Sequence, residues 1–269
     1  MRREGGYGVA AESMRPLLGQ HAVVTGGGSG IGAAVALELA RLGADLTLIG
    51  RRPEALAAQA RAIHEATSAA CATLPLDVTD AGAVPAALAR LAAPAILVNN
   101  AGGAESAPYS RTGIDLLERM LAVNLKGAFL CTQSLLPAML RAAYGRVVNI
   151  ASTAGLIGYP YVSAYVAAKH ALVGLTRALA LETATTGVTV NAVCPGFTDT
   201  DLVARSVATI VAKTGRSPEA ARAELAKTNP MGRLVTPQEV ASAAAYLCLP
   251  GAGAITGQAI VVAGGEVMG

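Results

Sequence analysis

Charge is scarce in this chain. Only 14% of its 269 residues are charged, and the formal net charge is +3. With no basic stripe along the sequence, this argues against a nucleic-acid partner. Aromatic residues are scarcer still, at 3%. The four cysteines, Cys71, Cys131, Cys194 and Cys248, stand far apart in apolar surroundings. They lack metal-ligand spacing, so the sequence predicts reduced core thiols and neither a disulfide scaffold nor a metal site. No charge-free apolar run reaches a membrane-spanning length, and residues 1–19 lack the apolar core of a secretory signal. The expectation is a cytoplasmic protein without membrane contact, in which residues 1–17 form a flexible N-terminal extension. No internal repeat, low-complexity linker or domain boundary is found, so residues 18–269 are expected to form one domain.

What the chain has in quantity is small apolar side chains and glycine. It is 53% hydrophobic with 30 glycines, which suits a buried parallel sheet covered by small-residue helices. Residues 21–25 read as a buried strand. They run into residues 26–32, GGGSGIG, followed by Val35, Leu39 and Leu42 at helical spacing and Gly43 as a cap. Strand, glycine turn, helix is the context of a phosphate-binding loop. Gly26, Gly28, Gly30 and Gly32 let the backbone turn tightly around Ser29 and Ile31 and approach a pyrophosphate, to which the helix N-terminus presents free N–H groups.

A second strand over residues 46–49 ends at Gly50, Arg51 and Arg52. An NAD-type cradle places a carboxylate at this strand end for the ribose 2′-OH. An arginine fork binds a 2′-phosphate instead, so NADP(H) is the preferred cofactor and NAD(H) the alternative. Pro53 suits the first turn of the next helix. A third strand over residues 72–76 ends in Asp77 and Val78. Asp77 is a candidate acceptor for an adenine amino group, and Thr79 or Asp80 a candidate cap for a helix over residues 83–91. A fourth strand over residues 95–98 ends in Asn99, Asn100, Ala101 and Gly102. This alternation predicts an α/β fold with a doubly wound parallel sheet and ligands at the carboxyl ends of its strands.

In the second half, a helix over residues 121–142 carries Asn124 near its start, with Lys126 and Gly127. Asn124 marks either a local kink or a polar group with a purpose. A strand over residues 147–150 leads to Ser152. A loop containing Gly155, Gly158 and Pro160 then leads to Tyr165 and Lys169, four apart and hence on one helix face. A phenol beside an ammonium is a proton donor and acceptor that can be tuned toward neutral pH. Leu172, Leu175 and Leu179 extend that helix as a core-facing stripe. A sixth strand over residues 188–193 ends in Cys194, Pro195 and Gly196.

These motifs, in this order and at these spacings, resemble the short-chain dehydrogenase/reductase family from about residue 18 to the C-terminus. Residues 25–32 match its cofactor motif and residues 99–102 its sheet-stabilising motif. Asn124, Ser152, Tyr165 and Lys169 match its catalytic tetrad. Pro195 and Gly196, with Thr198 and Thr200, match its nicotinamide-side loop, and residues 255–265 its last strand. The resemblance implies a single Rossmann-type sheet of about seven strands with helices on both faces. It also implies an enzyme acting on CH–OH groups, with NAD(P) as acceptor, that interconverts a ketone and a secondary alcohol by hydride transfer. Tyr165 is implied to exchange a proton with the substrate oxygen and Ser152 to donate to that oxygen. Lys169 is implied to hold the nicotinamide ribose and depress the Tyr165 pKa, and Asn124 to hold a water linking Lys169 to solvent. Tyr165 and Lys169 therefore count among the cofactor contacts as well.

Two positions depart from the family pattern. Ser29 stands where many NADP-using relatives carry a basic residue, which leaves cofactor choice mainly to Arg51. Thr198 replaces the usual Val or Ile. Substrate choice is expected from residues 103–112, from residues 153–161 and from a lid over residues 197–231 with a helix at residues 218–227. Residues 190–200 and 229–235 resemble bacterial 3-oxoacyl and polyketide ketoreductases and acetoacyl-CoA reductases, which implies a small ketone or alcohol substrate, an acyl thioester among the candidates. Arg205, Lys213, Arg216 and Arg222 read as solvated lid charges, or as contacts for a phosphorylated carrier arm. The alternative readings are an NAD(H)-dependent catabolic dehydrogenase of secondary alcohols or 3-hydroxyacyl-CoA and a non-catalytic nucleotide sensor. Ser152, Tyr165 and Lys169 together argue against the sensor. The resemblance further implies a homotetramer with the Tyr165 helix and the C-terminal strand at its interfaces.

Overall fold

The computed structural model describes residues 15–268. Its strands are β1 (His21–Thr25), β2 (Asp45–Gly50), β3 (Cys71–Pro75), β4 (Ile96–Asn99), β5 (Gly145–Ile150), β6 (Val188–Pro195) and β7 (Ala259–Val262). They make one seven-stranded sheet in the order β3-β2-β1-β4-β5-β6-β7, and every neighbouring pair is parallel. Strands β4, β5 and β6 are buried along their whole length because both faces are covered, whereas the edge strand β3 is largely exposed. Ala22 and Val24 point into one core and Val23 into the other, as period-2 alternation requires.

On one face α1 (Gly30–Arg41), α2 (Pro53–Thr67) and α9 (Pro237–Cys248) bury Leu39, Leu56 and Val240 against the sheet. On the other, α3 (Ala83–Leu88) and α5 (Gly127–Arg141) bury Leu88, Cys131, Leu135 and Met139. Each fully buried aliphatic side chain contributes about 1.5–3 kcal/mol. α6 (Ser163–Thr183) packs Leu172 and Val173 against Ala192 and Cys194 of β6. α7 (Asp201–Thr214) and α8 (Pro218–Ala226) form a small outlying layer in which Val203, Ala226 and Leu234 close over Phe197. The strand order reverses between β1 and β4, which opens a crevice at the carboxyl ends of the strands.

The doubly wound α/β sheet matches expectation, and four details correct it. The helix expected from residue 121 starts earlier, as α4 (Ile114–Leu121), and passes through a π-turn (Ala122–Lys126) into α5. The helix expected to reach residue 91 ends at Leu88. The buried stripe of α6 is Leu172, Val173, Thr176 and Ala180, whereas Leu175 and Leu179 are only half-buried. Leu17, placed in the expected extension, is fully buried and its N–H donates to the Leu42 carbonyl at 2.9 Å. Residues 1–14, the rest of that extension, lie outside the described residues. All four cysteines are free thiols. Burial pushes Cys71 and Cys194 up to about 11 and Cys131 and Cys248 up to about 12, which leaves them unreactive.

Candidate active site

The glycine turn after β1 is fixed from below by β4. Thr25 Oγ1 accepts from the Asn100 and Ala101 N–H groups at 2.9 and 3.0 Å, and Asn100 Nδ2 donates to the Thr25 carbonyl at 3.0 Å. Gly26 (φ +65°) and Gly30 (φ +54°) adopt the left-handed conformation that glycine tolerates. At Gly32 a Cβ would collide with the Gly26 carbonyl, and at Gly28 it would lie 3.2 Å from the start of α2. Ser29 precedes α1 without capping it, so the first-turn N–H groups face the crevice without a side-chain partner. Ile31 packs on the core below the turn. A glycine-rich turn leading into a helix N-terminus without a side-chain cap fits a dinucleotide pyrophosphate.

At the end of β2, Arg52 Nη2 donates to Ser29 Oγ at 3.2 Å, so its guanidinium reaches over the glycine turn. Arg51 is exposed, and its charge helps hold the Asp77 carboxyl below its ordinary range. The larger cause there is the Thr79 N–H, which donates to Asp77 Oδ1 at 2.9 Å. Asp80 caps the turn before α3, its Oδ1 accepting from Gly82 and Ala83 at 2.9 Å each. Val78 is buried against Gly127, whose Cβ would come within 2.7 Å of it. With arginines and no carboxylate at the β2 end, the residues present fit a 2′-phosphate.

The second half supplies the polar centre. Asn124 sits in the π-turn, a feature frequent at functional sites. It is buried, its Nδ2 donates to the Met120 and Gly103 carbonyls at 3.0 and 2.9 Å, and its Oδ1 accepts from the Gly103 N–H at 3.2 Å. A Cβ on Gly102 would lie 2.7 Å from Asn124 Oδ1 and 3.6 Å from Lys169 Nζ, so both side chains crowd that glycine. The sequence left open whether Asn124 is a kink or a working polar group; it is the polar pin of a local irregularity. Lys169, buried on α6, donates to the Ile150 carbonyl at 2.8 Å, and burial lowers its pKa to about 8. Ser152 Oγ accepts from the Ala154 N–H at 3.1 Å, capping the turn Thr153–Gly155, and its O–H is left to donate to the Tyr165 oxygen.

Tyr165 keeps part of its surface open, yet its surroundings are dry enough to push its hydroxyl above the ordinary value. The opposing pull comes from a hydrogen bond with Ser152. Lys169 is not among the groups that shift it. The Lys169 ammonium lies over the ring face, 5.7 Å from the centroid.

Behind this centre Asn99 Nδ2 donates to Thr132 Oγ1 and Asn149 Oδ1 at 3.0 and 2.9 Å, and Asn149 Nδ2 donates to Thr176 Oγ1 at 2.9 Å. The chain ties β4 and β5 to α5 and α6. At the end of β6, buried Pro195 leads to Gly196, whose N–H donates to the Val262 carbonyl at 3.1 Å. Buried Thr198 turns its hydroxyl back to the Gly196 carbonyl at 3.0 Å, and Thr200 lies 3.3 Å from where a Gly30 Cβ would stand. The β6 loop thus faces the glycine turn across the crevice.

Family comparison agrees with this geometry: residues 20–210 match the short chain dehydrogenase family. The chain belongs to that family. It is 36% identical to D-beta-hydroxybutyrate dehydrogenase of Rhizobium meliloti over 91% of this chain and 97% of that one. It is 40% identical to the granaticin polyketide synthase putative ketoacyl reductase 1 of Streptomyces violaceoruber, over 91% and 92%. A crystal structure of an actinorhodin polyketide ketoreductase variant with NADPH superposes with a TM-score of 0.88 at 37% identity, covering 92% of this chain and 97% of that one. Short-chain dehydrogenases are oxidoreductases, and this chain is one by membership.

Among the described residues no helix is long and apolar enough to cross a membrane, and no group of three acidic, histidine or cysteine side chains is placed to hold a metal. Of the lid cations, Arg222 pairs with Asp199 and Arg216 with Glu224, all largely exposed, which favours solvated charges over a carrier-arm contact. One group escaped the sequence reading. Tyr159 lies at hydrogen-bond distance from Glu266 in the segment after β7, a pairing of residues 107 apart for which spacing offers no signal.

Proposed function

We propose that this protein is an NADP(H)-dependent ketoreductase of the 3-oxoacyl type, interconverting a ketone and a secondary alcohol. The observation that carries the reading is the gathering of Ser152, Tyr165 and Lys169 at the ends of β5 and β6, across the crevice from an uncapped glycine turn. NADP(H), when bound, supplies or accepts the hydride. Gly26, Gly28, Gly30 and Gly32 admit its pyrophosphate, Arg51 and Arg52 take its 2′-phosphate, and Asp77 and Val78 lie on its adenine side. Asn100, Ala101 and Gly102, with Pro195, Gly196, Thr198 and Thr200, wall the remainder.

Tyr165 donates its phenolic proton to the carbonyl oxygen, and the dry site keeps that proton in place at neutral pH. The O–H of Ser152 donates to the same oxygen and stabilises the charge that develops there. Lys169 holds a ribose hydroxyl, and Asn124 sets the Gly103 backbone beside it. Residues 103–112, 153–161 and the lid over residues 197–231 enclose the substrate.

The relatives' names support both a ketoacyl and a hydroxybutyrate substrate class. The arginines at the β2 end favour NADP(H) and hence reduction. Initial rates with NADPH and NADH on an acetoacetyl thioester and a ketone panel test this. Turnover preferring NADPH supports it, preference for NADH on the alcohol favours a catabolic dehydrogenase, and tight NADPH binding without turnover overturns the enzymatic reading.

We further infer assembly into a homotetramer. An open apolar groove lined by Leu121, Leu125, Phe129, Ala171 and Leu175 lies where α5 and α6 meet, and a second copy would cover it.

A further inference from the structure

The segment after β7 is wedged between the two roots of the lid and the turn that follows Ser152. Gly264 lies flush on the far root, where a Cβ would collide with Asn229 Oδ1 and stand 2.8 Å from Met231 Sδ. At the near root the Gly196 N–H donates to the Val262 carbonyl at 3.1 Å. The two roots are also stapled to each other. The Val235 N–H donates to the Phe197 carbonyl at 2.9 Å, and the Asp199 N–H donates to the Val235 carbonyl at 2.8 Å.

From this segment Glu266 reaches the loop after Ser152. Its Oε1 accepts from Tyr159 Oη at 2.7 Å, and Tyr159 Oη lies 2.8 Å from Oγ1 of buried Thr153. Burial raises the Tyr159 hydroxyl well above its ordinary range, so it keeps its one proton and donates it in the bond to the carboxylate. Thr153 is then the donor to the phenol oxygen. The Tyr159 ring meets the Phe197 ring edge-on at 6.1 Å, again at the near root. Thr153 opens the turn Thr153–Gly155, which Ser152 caps. The floor of that turn is α6, where a Cβ on Gly155 would lie 2.9 Å from the Lys169 carbonyl. One side of the turn thus rests on the helix that carries Tyr165 and Lys169, and the other is tied through Tyr159 to Glu266. Glu266 Oε2 is buried without a hydrogen-bond partner among the described residues. A buried open acceptor is costly, and an apolar side chain would fill the space without that cost. What the carboxylate adds is the bond to Tyr159.

We propose that Glu266 is a positioning residue. Through Tyr159 it locks the turn after Ser152 to both roots of the lid, and so holds the Ser152 hydroxyl beside Tyr165. This role rests on the reductase reading above and deepens it. Glu266 itself touches neither substrate nor cofactor. Cutting the tie frees Thr153 and lets Ser152 shift on its turn, and a donor displaced from the developing oxyanion stabilises it less.

Ketone reduction with NADPH is compared in wild type, Glu266→Ala, Glu266→Gln, Tyr159→Phe and the Glu266→Ala/Tyr159→Phe double variant. Glu266→Ala should lower kcat by about tenfold while the NADPH Kd, read by fluorescence, stays within about twofold of wild type. Glu266→Gln keeps an acceptor for Tyr159 and should recover most of that loss. Tyr159→Phe should match Glu266→Ala, and the double variant should lose no more than the worse single, because both changes cut one tie. If Glu266 merely anchors the C-terminal segment, Glu266→Ala will lower the denaturant midpoint and leave kcat standing, and the proposal fails. Additive losses in the double variant also overturn it. Should Glu266→Ala not fold, Tyr159→Phe, which keeps the ring against Phe197, decides: a wild-type kcat overturns the proposal. If the wild type binds NADPH but reduces no ketone, the reductase reading has failed, and hydrogen exchange then tests the tie alone. Glu266→Ala must speed exchange in residues 153–161 and 197–200, and an effect confined to residues 263–268 overturns the proposal.

Discussion

The Lys169 ammonium donates to the Ile150 carbonyl at 2.8 Å while lying 5.7 Å from the centroid of the Tyr165 ring. A cation is thus held in a dry site by one neutral acceptor and an aromatic face, and burial lowers its pKa from 10.5 to about 8. The unfolded chain binds this proton up to its ordinary pKa, whereas the folded chain releases it near 8. Stability therefore rises as pH climbs from about 8 toward 10.5, and below 8 the site carries its full cost. Lys169→Met should stabilise the cofactor-free protein at pH 7 by on the order of 2 kcal/mol, with the gain shrinking above pH 8. Denaturant midpoints at pH 7 and pH 10 check this, and an advantage that grows with pH contradicts it. Reduction should be lost in the same variant.

Tyr165→Phe removes the proton donor and little else. Ketone reduction should fall by about 10²-fold or more, while NADPH titration by fluorescence gives near wild-type affinity. Comparable turnover in the variant would move the proton to another group and leave Ser152 as the first alternative to try.

The Arg52 contact with Ser29 bears on cofactor choice. Ser29 offers no charge of its own, and Arg52 brings a guanidinium to the same place. Arg51→Asp should move the NADPH-to-NADH ratio of kcat/KM toward NADH by about tenfold or more. Arg52→Asp should do at least as much. If only the Arg51 variant responds, the reach of Arg52 across the turn carries no recognition.

Much of this was legible in the sequence, and for physical reasons. Most strands of the sheet are short apolar runs ended by Gly, Asp, Asn or Pro, so element type and order could be read from local chemistry. Ser152, Tyr165 and Lys169 stood out because they lie after a strand end and on one helix face. Asn124 was half-legible: residues 124–127 looked unhelpful to a helix, but a π-turn is set by how α5 packs, which periodicity does not report. The start of α4 was obscured by the same irregularity. Leu175 misled because an open apolar groove and a core carry the same residues. The Tyr159–Glu266 contact was invisible because it depends on where β7 returns the chain.

Asn149 offers a stability test of the network behind the site. Thr176 Oγ1 accepts from Asn149 Nδ2 at 2.9 Å in buried surroundings. Thr176→Val keeps the volume and removes the acceptor, leaving a buried amide N–H unpaired. The expected loss is about 1–3 kcal/mol in denaturant unfolding. A neutral result would mean that the amide finds another partner, which the packing of β5 against α6 does not offer.

The apolar groove gives the last test. Phe129 is 45% exposed, an unusual state for a large aromatic side chain on a helix that also contributes to the core. Covering it requires a self-complementary surface, since the same face of a second copy is what a twofold contact presents. Phe129→Glu puts a charge at the centre of that contact without disturbing the buried face of α5. Sedimentation of the wild type should give a tetramer, and the variant a smaller species with far-ultraviolet circular dichroism unchanged. A wild-type monomer would refute the assembly outright. A variant that remains tetrameric would place the contacts elsewhere and leave the groove without an occupant.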